Sequence, residues 1–177
     1  MAPGATMYLY KVGTRVEFAS AVADLIAEGV DIVSMSLAWT IDGPGDGTGY
    51  LADIVANARA HGIFFAVAAG NDAQVSWSGP YSDDGSGYHR WTAGSGNVNW
   101  FVRGDGTGYV VPGGYPIQVG LHWDDWTNVN QDYDLYLLAW TGTTWVLVAQ
   151  SEQPQSGRSG QTPEEYIHYV VPVSAVY

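Results

Sequence analysis

The residue best placed for chemistry is Asn71. It follows Gly62-Ile63-Phe64-Phe65-Ala66-Val67-Ala68-Ala69-Gly70, an apolar run opened and closed by glycines. Such a run reads as a strand buried on both faces, the signature of a parallel sheet. In open α/β sheets, ligands bind just beyond the carboxyl ends of the strands, and Asn71 falls there. Taken alone, an Asn after a Gly equally suits a turn, because Asn tolerates left-handed backbone.

A second group of chemical interest is acidic. Asp124, Asp125, Asp132 and Asp134 crowd a strand–loop–strand, with Asn128 and Asn130 between them. Hard oxygen ligands of this kind suit Ca²⁺. The spacing is not that of an EF-hand, and solvated acidic loops are the plainer reading. The four histidines, His61, His89, His122 and His168, are scattered, and none stands in a nucleophile motif. His61 falls in the last turn of a helix, where a cation suits the dipole. The aromatics Trp77, Tyr81, Tyr88, Trp91, Trp100, Trp123, Trp126, Trp140 and Trp145 would stack on sugars if several shared one exposed face; as core and loop anchors they need no ligand. Gly104-Asp105-Gly106-Thr107-Gly108 has no following helix or Lys, so it reads as a hairpin turn and not a phosphate loop.

Bulk composition excludes several functions. The net charge is −12, with 6 basic residues against 18 acidic ones. No basic patch can be assembled to neutralise phosphates, which excludes nucleic acid and disfavours an anionic membrane surface. With no cysteine there are no disulfides, thiol nucleophiles or Cys-ligated zinc. No apolar run approaches the roughly 18 residues of a membrane span. No basic segment precedes an apolar core at the N-terminus, so no signal peptide is expected within these residues.

The elements that must position Asn71 follow a regular order. Thr6–Val12 is rich in β-formers and reads as a first strand. Thr14 and Glu17 fit a capping box, Phe18, Val22, Leu25 and Ile26 form one helical face, and Gly29 is a stop. Val30–Leu37 reads as a strand, Trp39–Gly49 as a loop, and Tyr50–His61 as a second helix with Leu51, Ile54, Val55 and Ala58 on one face. Strand, helix, strand, helix, strand with short links argues for a parallel α/β sheet. After Asn71 the helical period disappears. Strands are expected at Val98–Val102, Tyr109–Val111, Pro116–Trp123, Tyr133–Trp140, Thr144–Gln150 and Glu165–Val171, an antiparallel sandwich or jelly roll. The expected domains are residues 1–92, a partial α/β sheet, and residues 93–177, an all-β module, with the boundary near Trp91–Ser95.

Three segments carry a family resemblance: Ala2-Pro3-Gly4-Ala5, then Gly29-Val30-Asp31-Ile32-Val33-Ser34-Met35-Ser36-Leu37, then Ala68-Ala69-Gly70-Asn71. In order and spacing they resemble the middle of a subtilisin-like serine peptidase (subtilase) catalytic domain, over roughly residues 1–80. The remainder is similar to the β-sandwich modules that some subtilases carry. The resemblance implies that Asn71 is the oxyanion-hole donor. It also implies that Ser36, Leu37 and Ala38 pair with a peptide substrate, and that Ala68, Ala69 and Gly70 help wall its pocket. Asp134-Leu135-Tyr136-Leu137 resembles a strand common in the attached sandwiches.

Two departures qualify the resemblance. The family usually has glycines after its Ser-Leu pair; Ala38 and Trp39 stand here, and an indole there would cover or fill part of the cleft. The family's Asp, His and Gly-Thr-Ser triad motifs are absent from residues 1–177. A triad needs nucleophile, base and orienter within mutual reach. The expectation is therefore a fragment of a secreted serine endopeptidase that acts on protein substrate in its parent, needs no cofactor, and is inactive alone. The alternative is a non-catalytic protein- or glycan-binding protein on a degenerate peptidase core. A partial sheet would also leave an uncovered face or edge prone to self-association.

Overall fold

The computed structural model describes residues 3–39, 41–71, 76–91 and 96–177. They belong to two compact units, residues 1–71 and 72–177. The expected boundary near residues 91–95 lies, apart from Trp91, outside the described residues, as does Ala2 of the first resembling segment.

In the first unit, Thr14 starts helix α1, Arg15–Glu28, as the capping box expects. The Glu17 amide donates to Thr14 Oγ1 at 3.2 Å, and the Thr14 amide donates to Glu17 Oε2 at 2.9 Å. The Gly13 amide reaches the same Oε2 at 2.8 Å. These reciprocal bonds occupy amides that the first helical turn leaves without partners. Gly29 ends the helix at φ 68°, a left-handed conformation that costs a residue with a Cβ more than glycine. Strand β1, Ile32–Met35, follows, then helix α2, Tyr50–Ala60, and strand β2, Phe64–Val67.

β1 and β2 pair in parallel, with Ile32 opposite Phe64 and Met35 opposite Val67. Phe18 and Val22 of α1, Ala58 of α2 and Ile63 are the buried centre of this unit. Val33, Met35 and Phe65 pack against them from the sheet. Burying one such Phe or Ile contributes about 1.5–3 kcal/mol, so this small core depends on a few side chains.

Two expectations need correction. The run ending at Asn71 is covered on one face only. Both helices pack on the side that carries Val33 and Phe65, and strand alternation turns Ile32 and Phe64 the other way. Ile32 is 66% exposed and Phe64 65%. Thr6–Val12 is not a strand among the described residues, because nothing pairs with it. Its Leu9 is 90% exposed, and only Val12 packs against the core. The Glu28 carboxylate, through hydrogen bonding and charge, pushes the Tyr8 hydroxyl pKa upward.

The second unit is antiparallel. Its strands are β3 (Val110–Val111), β4 (Pro116–His122), β5 (Leu135–Trp140), β6 (Trp145–Ser151), β7 (Glu164–Val170) and β8 (Ala175–Val176). They form a four-stranded sheet in the order β3-β8-β5-β6 and a two-stranded sheet of β4 and β7. β4 and β7 pair over seven positions, from Pro116 opposite Val170 to His122 opposite Glu164. Alternation sends Ile117 and Ile167 inward, where they meet Leu137 and Ala139 of β5, Val111 of β3, and Val171 and Tyr177. Residues 98–102, expected as a strand, make a single bridge, Val102 to Gly108. The Phe101 amide instead donates to the Tyr177 carbonyl at 3.0 Å. The Asp105 turn closes as a hairpin, with Oδ1 accepting from the Thr107 amide at 2.9 Å and its hydroxyl at 2.7 Å.

Candidate functional site

The carboxyl ends of β1 and β2 open into a groove of about 440 Å³. Pairing continues past the strands, where the Ala68 amide donates to the Met35 carbonyl at 3.0 Å. Leu37 and Ala38 after β1, and Ala68 after β2, line the groove. Leu51, Val55 and Arg59 of α2 supply another wall. Trp39 also lines it and packs on Phe18, with ring centroids 5.4 Å apart and planes tilted by 46°. The Trp39 indole thus fills volume beside the groove and anchors it to the core.

Ser36, Ala69, Gly70 and Asn71 are exposed and do not line this groove. Gly70 has φ 81°, a left-handed turn that suits glycine and redirects the chain just before Asn71. Of the seven residues expected at the peptide site, the structure therefore brings three into one concave surface and leaves four on the segments leading out of it. Arg59 was not anticipated. Its signal was positional: it is the cation in the last turn of α2, the end that the dipole favours for positive charge. His61 closes the same helix, its Nδ1 2.9 Å from the Asn57 carbonyl.

In the second unit Asp124 is exposed, and the other three aspartates do separate work. Asp125 is buried, and its Oδ2 accepts from the Asn130 amide at 2.6 Å and the Gln131 amide at 2.7 Å. Asp132 Oδ1 accepts from the Gln155 amide at 3.0 Å. Asp134 accepts from the Tyr136 hydroxyl at 3.2 Å, and burial is the main reason its pKa is raised. The single Tyr136 hydroxyl hydrogen is shared with Glu152, the nearer acceptor at 2.6 Å, and that bond is the largest of the causes that hold the Tyr136 pKa well above the usual tyrosine value. Among the described residues, no three His, Asp or Glu side chains converge to hold a metal ion. Asp125 and Asp132 hold loops in place through backbone amides.

A buried carboxylate that sequence reasoning missed is Glu165, 1% exposed. It accepts from the Gln153 amide at 2.7 Å, from Gln155 Nε2 at 3.0 Å and from the Ser151 hydroxyl. Its signal was its place on β7, two residues before Ile167 on the inward face.

The model of the Subtilase family matches residues 1–156, which takes in the first unit and most of the second. The chain belongs to the subtilase family. No curated protein and no solved structure gives a significant match.

Proposed function

We propose that this chain is a central section of a subtilisin-like serine endopeptidase. In this reading Asn71 is the oxyanion donor, and the strand-end groove receives part of a peptide substrate. The observation that carries the reading is a concave surface at the carboxyl ends of two parallel strands, lined by Leu37, Ala38 and Ala68, in a chain of this family. A peptide would pair with the Ser36–Ala38 backbone as an added strand, and Ala68, Ala69 and Gly70 would border the side chain before the scissile bond. When a serine attacks the carbonyl, charge builds on its oxygen. The Asn71 amide would donate to that oxygen, stabilising the transition state more than the substrate.

The serine, histidine and aspartate of the triad would come from other residues of the parent, since none of the family's triad motifs stands in residues 1–177. The antiparallel unit would be a β-sandwich module accompanying the catalytic domain. By family habit the parent acts outside the cell; among the described residues no helix is long and apolar enough to cross a membrane. The test is to incubate the purified 177-residue chain with a generic peptide substrate and a serine-directed fluorophosphonate. No turnover and no covalent label are expected. Either one would overturn the proposed division of the triad.

A further inference from the structure

We infer that the second unit carries a binding site for a neutral saccharide in the groove bordered by Trp91, Trp100 and Trp145. This goes beyond the peptidase reading and does not depend on it. The groove holds about 600 Å³, the order of a small-molecule site. Trp100 is half exposed and meets Trp145 at 5.3 Å between centroids, with ring planes 74° apart. Trp145 in turn packs on Trp140 of the neighbouring strand at 5.2 Å. Two indoles at that angle make a fixed corner backed by the β5–β6 sheet.

The polar part of the groove is amide, not charge. Asn97 and Asn99 line it, and among the described residues no charged side chain does. Trp91 donates its indole N–H to the Asn97 carbonyl at 3.2 Å, and Asn97 Nδ2 donates to Asp84 at 3.0 Å, so this rim is held in place. The exposed Asn99 amide makes no hydrogen bond to a described residue. An amide both donates and accepts, which matches hydroxyl groups. A pyranose presents an apolar C–H face edged by hydroxyls, so its face lies on one indole and its edge against the other while its hydroxyls meet the amides.

Charge and shape narrow the ligand class. A chain of net charge −12 repels acidic sugars, which selects neutral ones. A proline-rich peptide needs an extended row of aromatic ridges to match its helix. A closed corner fits one ring-shaped unit better.

The test is native affinity electrophoresis of the 177-residue chain through gels containing galactomannan, dextran or mixed-linkage β-glucan, with alginate as the anionic comparison. Retardation by at least one neutral polysaccharide is expected, with little or none by alginate. Trp100→Ala should weaken it about tenfold or more, as expected for removal of a central aromatic anchor. Asn99→Ala should weaken it less, and Tyr115→Ala, an exposed aromatic outside the groove, should not change it. Circular dichroism checks folding; if Trp100→Ala misfolds, Asn99→Ala decides. Absence of retardation in every neutral gel overturns the inference, as does retardation unchanged by both groove substitutions, equal retardation by alginate, or displacement by a decaproline peptide. None of these outcomes bears on the oxyanion role of Asn71.

Discussion

At the scale of single residues, the second unit depends on Glu165. A buried carboxylate is stable only when its oxygens are satisfied, and here three donors surround it. Removing it leaves the Gln153 amide, the Gln155 side chain and the Ser151 hydroxyl without their acceptor. Glu165→Ala should therefore destabilise the second unit by about 2–4 kcal/mol, and Glu165→Gln by less, as read by denaturant unfolding. Sequence marked Glu165 only by its register with Ile167, because one of two adjacent Glu residues in a strand of mixed polarity looks like any solvent-facing acid; its donors come from residues 151–155, before the loop that leads into β7. The oxyanion role proposed for Asn71 rests on the opposite kind of signal. Its local motif, Ala68-Ala69-Gly70-Asn71, carries the family pattern without help from distant contacts. The groove wall was only partly legible: Leu37 and Ala68 stand in the segments that carry the resemblance and Ala38 follows one of them, whereas Arg59 enters through helix packing.

At the scale of elements, what could be read depended on whether the signal was local. The cap of α1 was legible because Thr14, Glu17 and Gly29 act within one turn of the helix they bound. Thr6–Val12 and Val98–Val102 have strand propensity but form no strands, because pairing requires a partner that propensity does not specify. The two-residue strand β8 was missed because so short a run carries no period. The apolar run of β2 was read as covered on both faces, and such a run looks the same when only one face is covered.

The same local devices set an acid response. Backbone donors at Gly13 and Thr14 hold the Glu17 pKa below its usual value, and the Ser86 hydroxyl and amide do so for Asp84. Thr107 acts likewise on Asp105, and Thr48 on Asp46. A depressed carboxylate pKa contributes stability above the unfolded-state value, about 4, and loses it as pH falls through the folded-state value. Tm should therefore hold near neutrality and decline below about pH 4. Glu17, Asp46 and Asp105 are exposed and Asp84 is half-buried, so each effect is modest and weakens with salt. A Tm that rises on acidification through that window would contradict the assignment.

At the scale of the whole molecule, the exposed faces are as informative as the cores. Ile32 and Phe64 stand side by side on the open face of β1 and β2. A two-stranded parallel sheet with one bare apolar face is unusual for a chain alone in water, since parallel sheets are normally covered on both sides. We expect the isolated chain to self-associate through this face, with an apparent mass in light scattering that rises with concentration. Phe64→Ser should shift it towards monomer. A monodisperse wild-type monomer with cooperative melting would argue against an uncovered sheet. Under the proposed function, the same face would be covered by the rest of a catalytic domain.

The central claim is that Asn71 donates to the oxyanion of a peptidase to which this chain contributes. The most direct measurement is steady-state kinetics of Asn71→Ala in the parent enzyme encoded by the extended reading frame. The expected result is a loss of about 10²–10³ in kcat, a magnitude taken from the same donor in subtilisin itself, with KM little changed. An unchanged kcat, or a parent without the triad motifs and without activity, would contradict the account.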